Sequence, residues 1–523
     1  MRSISRRLPV TSFQRLVADD RKPEIIRARP GANLPDLSSA ADLPENKPLL
    51  CEQALGPVRT AYEESSMVAT TSIHGMWTTR LAFILAATGS AVGLGNVWKF
   101  PYITGENGGG AFVLVYILCV SMIGIPIMMA EIMLGRRGRQ SPINTMRTLA
   151  HAEDRHGFWQ LIGWGGVIAG FLIISYYSVI AGWAIAYAFR ALGGSFTSLT
   201  GETAKDLFGA LTGDPERLLA WHTIFMVMTT IVISRGVRSG LEQAVRVLMP
   251  ALFGLLLVLV GYALTSGKFM DGLKFLFVPD FGALSAGAII TAMGHAFFTL
   301  SLGMGAIMMY GSYLPASASI TRSTIIIALM DTLVALLAGM AIFPIVFANG
   351  LEPGAGPGLV FLTLPIAFGN MPGGLLFGTL FFVLLVFAAW TSAISLIEPA
   401  VAWLVENQGF ARVRASVYVG IVAWLLGIMT VLSFNDWAFS FDFAGEVKTN
   451  GVFDLVDILT ANFMLPLGGL AMALFAGWFM ARASTQDELA LGQGPAYRLW
   501  RVLIRYIAPL AVVLVFFNAV GLL

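Results

Sequence analysis

Charge is scarce in this chain of 523 residues: Lys, Arg, Asp and Glu together make up 12%, against 56% hydrophobic residues. That is about half the charged share of an ordinary soluble domain, so a water-soluble globule is excluded and a polytopic protein in contact with a lipid bilayer remains. The net charge of +2 gives no sign of a nucleic-acid partner, because in such a chain what matters is where the basic residues fall. Only two cysteines are present, Cys51 in a polar stretch and Cys119 in an apolar run, too few for a disulfide framework or a cysteine metal site. There is no G-x-x-x-x-G-K-[ST] phosphate loop and no H-E-x-x-H pair, so neither nucleotide-driven pumping nor zinc proteolysis has a motif. The segment "HAEDRH", 151–156, reads as a solvated turn in a charged loop, and the chain does not read as an enzyme.

Residues 1–75 differ from all that follow, being rich in Arg, Pro, Asp and Glu, and read as a flexible cytoplasmic tail. From residue 76 onward the chain reads as one transmembrane domain. About 20 apolar residues are needed to cross a bilayer as a helix. That rule yields spans near 77–103, 110–135, 158–191, 218–234, 243–264, 285–313, 322–349, 374–406, 413–433, 454–481 and 500–521. Basic residues mark alternate loops: "GRRGR" at 135–139, Arg235 with Arg238, Arg322, Arg412 with Arg414, and Arg498 with Arg501. Their side, with the tail, is the cytoplasm, and an odd number of spans leaves the C-terminus outside. The loop 350–373 has no Lys or Arg and offers a short helix.

Several spans depart from a plain apolar helix. "TGSAVGLGNVWKFP", 88–101, carries Gly89, Gly93 and Gly95 and then Asn96 and Lys99. Glycines weaken a helix, and the amide and ammonium groups need polar partners where water is scarce. Small residues four apart also serve close helix packing. A second stretch, "AFFTLSLGMGAIMMYGSY" at 296–313, again sets hydroxyls, Thr299 and Ser301, before Gly303 and Gly305 in mid-span. Interruptions in the first and sixth spans point to two inverted five-helix halves, about 77–264 and 285–481, around a midplane site, with 500–521 as an extra helix. In the eighth span Ala388, Thr391, Ser392 and Ser395 share one small, oxygen-bearing face suited to a hard cation such as sodium. Asp331 is an acid deep in the seventh span and a site candidate. Glu131 reads as an acceptor for unwound backbone and His295 as a packing residue, with a proton relay as the alternative for the histidine.

These stretches, with "AAWTSAISLIEP" in the eighth span, resemble the neurotransmitter:sodium symporter family, most closely its bacterial amino-acid carriers. The resemblance runs from Trp77 to the C-terminus and implies an all-α integral membrane protein of the LeuT fold, with discontinuous first and sixth helices and eleven in all. It implies a bacterial inner-membrane carrier with two sodium sites. The first would use Ala91, Asn96, Thr299, Asp331 and the substrate carboxylate; the second Gly89, Val92, Ala388, Thr391 and Ser392. The substrate pocket would be lined by Ser90, Ala91, Gly93, Gly95, Ile173, Tyr177, Phe298, Ser301, Met304, Ser392 and Leu396. Amine carriers of the family have an aspartate where this chain has Gly93, which implies a substrate bringing its own carboxylate, and Ile173, Met304 and Leu396 imply a neutral apolar side chain. Another small zwitterion, betaine or a taurine-like osmolyte, and a ligand sensor that does not transport are the alternatives.

Lys99 and Asp457 match the family's outer gate, with lysine in place of the usual arginine. Trp77, Tyr313 and Glu406 match the inner gate, where His74 replaces an arginine. Chloride-dependent members have a serine at the position of Ala335. The fixed charge of Asp331 is expected to replace chloride, and to take up a proton once sodium leaves. Exchanging chloride for gluconate should therefore leave uptake unchanged, and loss of the signal would refute the substitution.

Overall fold

The computed structural model describes residues 72–354 and 358–522. The expected tail, apart from 72–75, lies outside the described residues, as does Cys51. Nine described helices are long and apolar enough to cross a bilayer: Gly110–Gly138, Gly157–Leu192, Pro215–Ser234, Val237–Leu264, Ile320–Ala348, Gly374–Gln408, Arg412–Ser433, Gly451–Phe479 and Pro495–Ala519. A further crossing is a bent pair, Arg80–Ala91 and Gly95–Glu106, whose axes differ by 51°. The sixth in order is two short helices, Ala286–Thr299 and Ala306–Ser312, joined by six non-helical residues, 300–305. All the expected spans, and the expected breaks in the first and sixth, are therefore present.

Local chemistry explains the ends of these helices. Thr79, Asp214, Ser285 and Ser319 each accept a backbone N–H from the first helical turn, a bond worth about 1 kcal/mol. The sixth-span break turns on three residues with left-handed backbone, Ser301 at φ 54°, Gly303 at 85° and Gly305 at 73°. Glycine adopts that region freely; Ser301 does so at a cost, as residues at functional sites often do.

The third span, Gly157–Leu192, and the eighth, Gly374–Gln408, form the centre: 72% and 78% of their apolar windows are buried, against 28% for the last span. Glycines bring the third span close to its neighbours. A Cβ on Gly166 would lie 3.1 Å from the Gly305 nitrogen in the sixth-span break, and one on Gly170 would lie 3.1 Å from the Leu396 carbonyl oxygen of the eighth.

The sequence pattern did not reveal four shorter helices between spans, Pro142–Ala152, Gly201–Thr212, Phe269–Phe277 and Arg482–Leu489, nor a small antiparallel hairpin pairing Phe441–Phe443 with Glu446–Lys448. All are too short to register in a search for apolar runs of membrane length. The short helix expected in 350–373 is found at Leu359–Asn370. The "HAEDRH" turn is anchored as well as solvated: Glu153 accepts the Ala481 N–H at 2.7 Å and Arg155 donates to the Phe479 carbonyl at 3.0 Å.

Where the second span crosses Ala306–Ser312, a Cβ on Gly135 would fall 1.8 Å from the Met308 carbonyl oxygen. Gly135→Ala should lower the thermal midpoint of purified protein in detergent, by overpacking of about 1–3 kcal/mol or more. Gly165→Ala, with nothing within 4 Å of the added methyl, should not.

Candidate functional site

The two breaks face each other across the third and eighth spans, and polar atoms gather between them. Asn96 donates through Nδ2 to Asp331 Oδ1 at 2.8 Å and to Thr299 Oγ1 at 3.1 Å, while its Oδ1 accepts the Gly93 N–H at 3.0 Å. The Thr299 hydroxyl donates to Asp331 Oδ2 at 3.0 Å. Asp331 and Asn96 are fully buried. Three of the four residues expected at the first sodium site thus touch one another, around a carboxylate that faces no Lys or Arg within ion-pair distance among the described residues. Such a charge in hydrocarbon calls for a cation or a proton.

The second expected set also converges. Ser392 Oγ lies 3.4 Å from the Gly89 carbonyl oxygen and 3.2 Å from that of Val92, and the Thr391 hydroxyl donates to the Ala388 carbonyl at 3.1 Å. All these donor atoms are oxygens, the class a hard cation prefers. They lie on both sides of the contact between the first and eighth spans.

Beside these clusters is a cavity of about 660 Å³, and every residue expected in the substrate pocket lines it. Its floor is tightly bonded: the Ser90 carbonyl accepts the hydroxyls of Ser301 at 2.8 Å and Ser392 at 3.2 Å, and the Ser90 hydroxyl donates to Ser395 at 2.7 Å. A Cβ on Gly93 would lie 2.5 Å from Ser392 Oγ and 3.0 Å from the Tyr177 hydroxyl. The Leu94 N–H points to that same hydroxyl at 3.3 Å. Leu94 acts through its backbone, so no side-chain signal could have singled it out.

The cavity continues past Lys99 and Phe298 to Trp183, Phe434, Lys448 and Asp454. The expected outer pair faces this space. No ion pair joins Lys99 to Asp457 among the described residues; Lys99 Nζ sits 4.7 Å from the centre of the Phe298 ring, and Asp457 hydrogen-bonds Tyr176. Each nonetheless lies within the electrostatic field of the other.

The opposite face is packed shut. Trp77 donates from its backbone to the Tyr313 carbonyl at 3.0 Å and from its indole to that of Tyr310 at 3.1 Å. His74 Nε2 meets Glu406 Oε1 at 3.0 Å. Tyr313, named with Trp77 and Glu406 at the inner gate, donates its hydroxyl to Glu398 at 2.6 Å, and Glu398 is paired with Arg412. Glu398 escaped notice although an acid inside a span was itself the signal.

Glu131 accepts the Gly303 N–H at 2.6 Å, as expected of an acceptor for unwound backbone. His295 packs 5.9 Å from Phe100 and 5.4 Å from Tyr116 with neither ring nitrogen hydrogen-bonded, the geometry of a packing residue. No cluster of three or more His, Cys, Asp or Glu side chains able to hold a metal occurs among the described residues.

The model of the sodium:neurotransmitter symporter family matches residues 74–203 and 213–522. An uncharacterized sodium-dependent transporter of Bacillus subtilis, YhdH, is 39% identical over 86% of this chain and 98% of its own. Sodium-dependent nutrient amino acid transporter 1 of Drosophila melanogaster is 25% identical over 84% of this chain and 76% of its own. Among solved structures, that of MhsT in complex with L-phenylalanine superposes with a TM-score of 0.77 at 42% identity, covering 85% of this chain and 99% of MhsT. The chain therefore belongs to the sodium:neurotransmitter symporter family. It is a sodium-dependent multi-pass membrane symporter of the LeuT fold, in a family of transporters and not of enzymes.

Glu131 holds the sixth-span break through one bond. Glu131→Ala should leave the Gly303 N–H buried and unpaired, costing about 1–3 kcal/mol in thermal stability. Glu131→Gln, which keeps the acceptor, should stay near the parent; equal losses in both would show that the charge itself is needed.

Proposed function

We propose that the protein imports neutral, apolar amino acids coupled to sodium, without chloride, across the bacterial inner membrane. The observation that carries this reading is the space around Gly93. Any side chain there would collide with Ser392 and Tyr177, so the chain offers an incoming ammonium group no carboxylate at that point. A substrate carboxylate instead fits beside Tyr177 and the Leu94 N–H, adjacent to the Asn96, Thr299 and Asp331 oxygens. The apolar walls from Ile173, Met304 and Leu396, and the phenylalanine bound to the related MhsT, support an apolar side chain.

Sodium at the Asn96 cluster then contacts the substrate directly, so each raises the affinity of the other by the same factor. A second sodium between Gly89, Val92, Ala388, Thr391 and Ser392 ties the first span to the eighth and favours the state open to the outside. The halves 77–264 and 285–481 act as inverted repeats, and the broken spans rock against the others around the fixed site. The face carrying His74 is cytosolic, and Lys99 closes toward Asp457 on the outer face.

Sodium-dependent binding of labelled leucine, phenylalanine, tryptophan and taurine to purified protein tests the substrate class. The apolar amino acids should bind and taurine should not; the reverse would move the protein to the osmolyte carriers. Asn96→Ala should weaken sodium and substrate together, by about tenfold or more if the coupling is of the usual size. Loss of neither would reject the shared site.

A further inference from the structure

Two of the contacts that hold the packed face shut differ in chemistry. The segment around His74 is tied to the second half of the sixth span, to which Trp77 is bonded twice. From there His74 and Tyr313 each reach the eighth span, at Glu406 and Glu398 respectively. Glu398 is fully buried and neutralised by Arg412, a guanidinium that keeps its charge at any physiological pH.

Glu406 is different. Its two oxygens accept the Ser141 N–H at 2.7 Å, the Ser141 hydroxyl at 2.5 Å and the Asn144 amide at 2.7 Å, all from the start of the helix Pro142–Ala152. These three donors remain if His74 withdraws, so the carboxylate is never left bare. The His74 contact is thus one that breaks at little cost, and its strength depends on one proton. A neutral imidazole gives a single hydrogen bond; a protonated one gives an ion pair within a contact whose side chains are 1% and 5% exposed. The other charged groups facing this segment are Arg139, 3.7 Å from Met76 Sδ, Arg238, which donates to the Met76 carbonyl at 3.2 Å, and Glu242, which accepts the Thr78 N–H at 3.0 Å. Across the contact stand the Tyr313 ring, 6.0 Å away, and the Glu398–Arg412 pair.

We propose that His74 is a proton-operated latch on the packed face: with a proton it holds the first span against Glu406 and slows opening, and without one it releases. The sign follows from the partner. Only the protonated imidazole adds an ion pair to the hydrogen bond with Glu406, so closure is stronger when His74 carries its proton than when it does not. The sidedness rests on the reading above that this face is cytosolic; the latch itself does not. The result is a carrier throttled when its own compartment acidifies.

The test uses the full chain with Cys51→Ser and Cys119→Ser, spin-labelled at Ile73→Cys and Val413→Cys, both exposed positions. Pulsed-resonance distances are then measured between about pH 5.5 and 7.5, bracketing the usual imidazole range. Acid should collect the population at the short distance, His74→Arg should hold it there at every pH, and His74→Gln should remove the response. No response in the parent, or the same response in His74→Gln, overturns the proposal; the latter would assign the proton to another group such as Asp331. In proteoliposomes, sodium-driven uptake should rise about fivefold, the low end of usual site-to-site coupling, as internal pH goes from 5.5 to 7.5, and His74→Gln should be flat. A pH-dependent distance with no amino-acid uptake would sustain the latch and refute the transport reading; uptake without pH dependence would do the opposite.

Discussion

A polypeptide inside hydrocarbon must satisfy every backbone N–H and C=O from within the protein. Two breaks in the first and sixth spans violate the simplest way of doing so, and the rest of the centre is arranged to make good the difference. Glu131 takes the Gly303 N–H, Asn96 takes that of Gly93, and the serines of the sixth and eighth spans cap the Ser90 carbonyl. The third span can press against the sixth-span break only because it presents glycine there. Freed carbonyls, close helices and a central cavity are consequences of one decision to stop two helices midway.

Buried charge is handled in two ways. Arg412 meets Glu398 at once, so that carboxylate has no need of an ion and serves closure. Asp331 is met by neutral donors, the amide of Asn96 and the hydroxyls of Thr299 and Tyr116. Neutral donors soften the burial of a carboxylate without cancelling its charge. The difference between the two acids separates the group that locks from the group able to recruit a cation.

Much of this was legible in the sequence because it is written in composition. Apolar length marks spans, glycine with hydroxyls marks breaks, and an acid in a span marks a site. Hence the eleven crossings, the two breaks and Glu131 could be named from the residues themselves, whereas pocket residues such as Ile173, Tyr177 and Met304 came from the family resemblance. What stayed hidden is pairing across space. Nothing in the order of residues says that Tyr313 would choose Glu398 over Glu406, that Lys99 would rest on Phe298 apart from Asp457, or that the "HAEDRH" turn would grip residues 479–481. Short helices in loops were missed because a search for apolar runs of membrane length passes over segments of 8 to 12 residues.

The Ser90 carbonyl has a further consequence. Two hydroxyls already approach it, that of Ser301 at 2.8 Å and that of Ser392 at 3.2 Å, the second shared with the Val92 carbonyl. An incoming amino group that uses this oxygen exchanges one hydrogen bond for another, so its net gain is small. On the amino-acid reading proposed above, discrimination is then left to the shape of the apolar wall: the common head registers position, and the variable side chain decides how long the molecule stays.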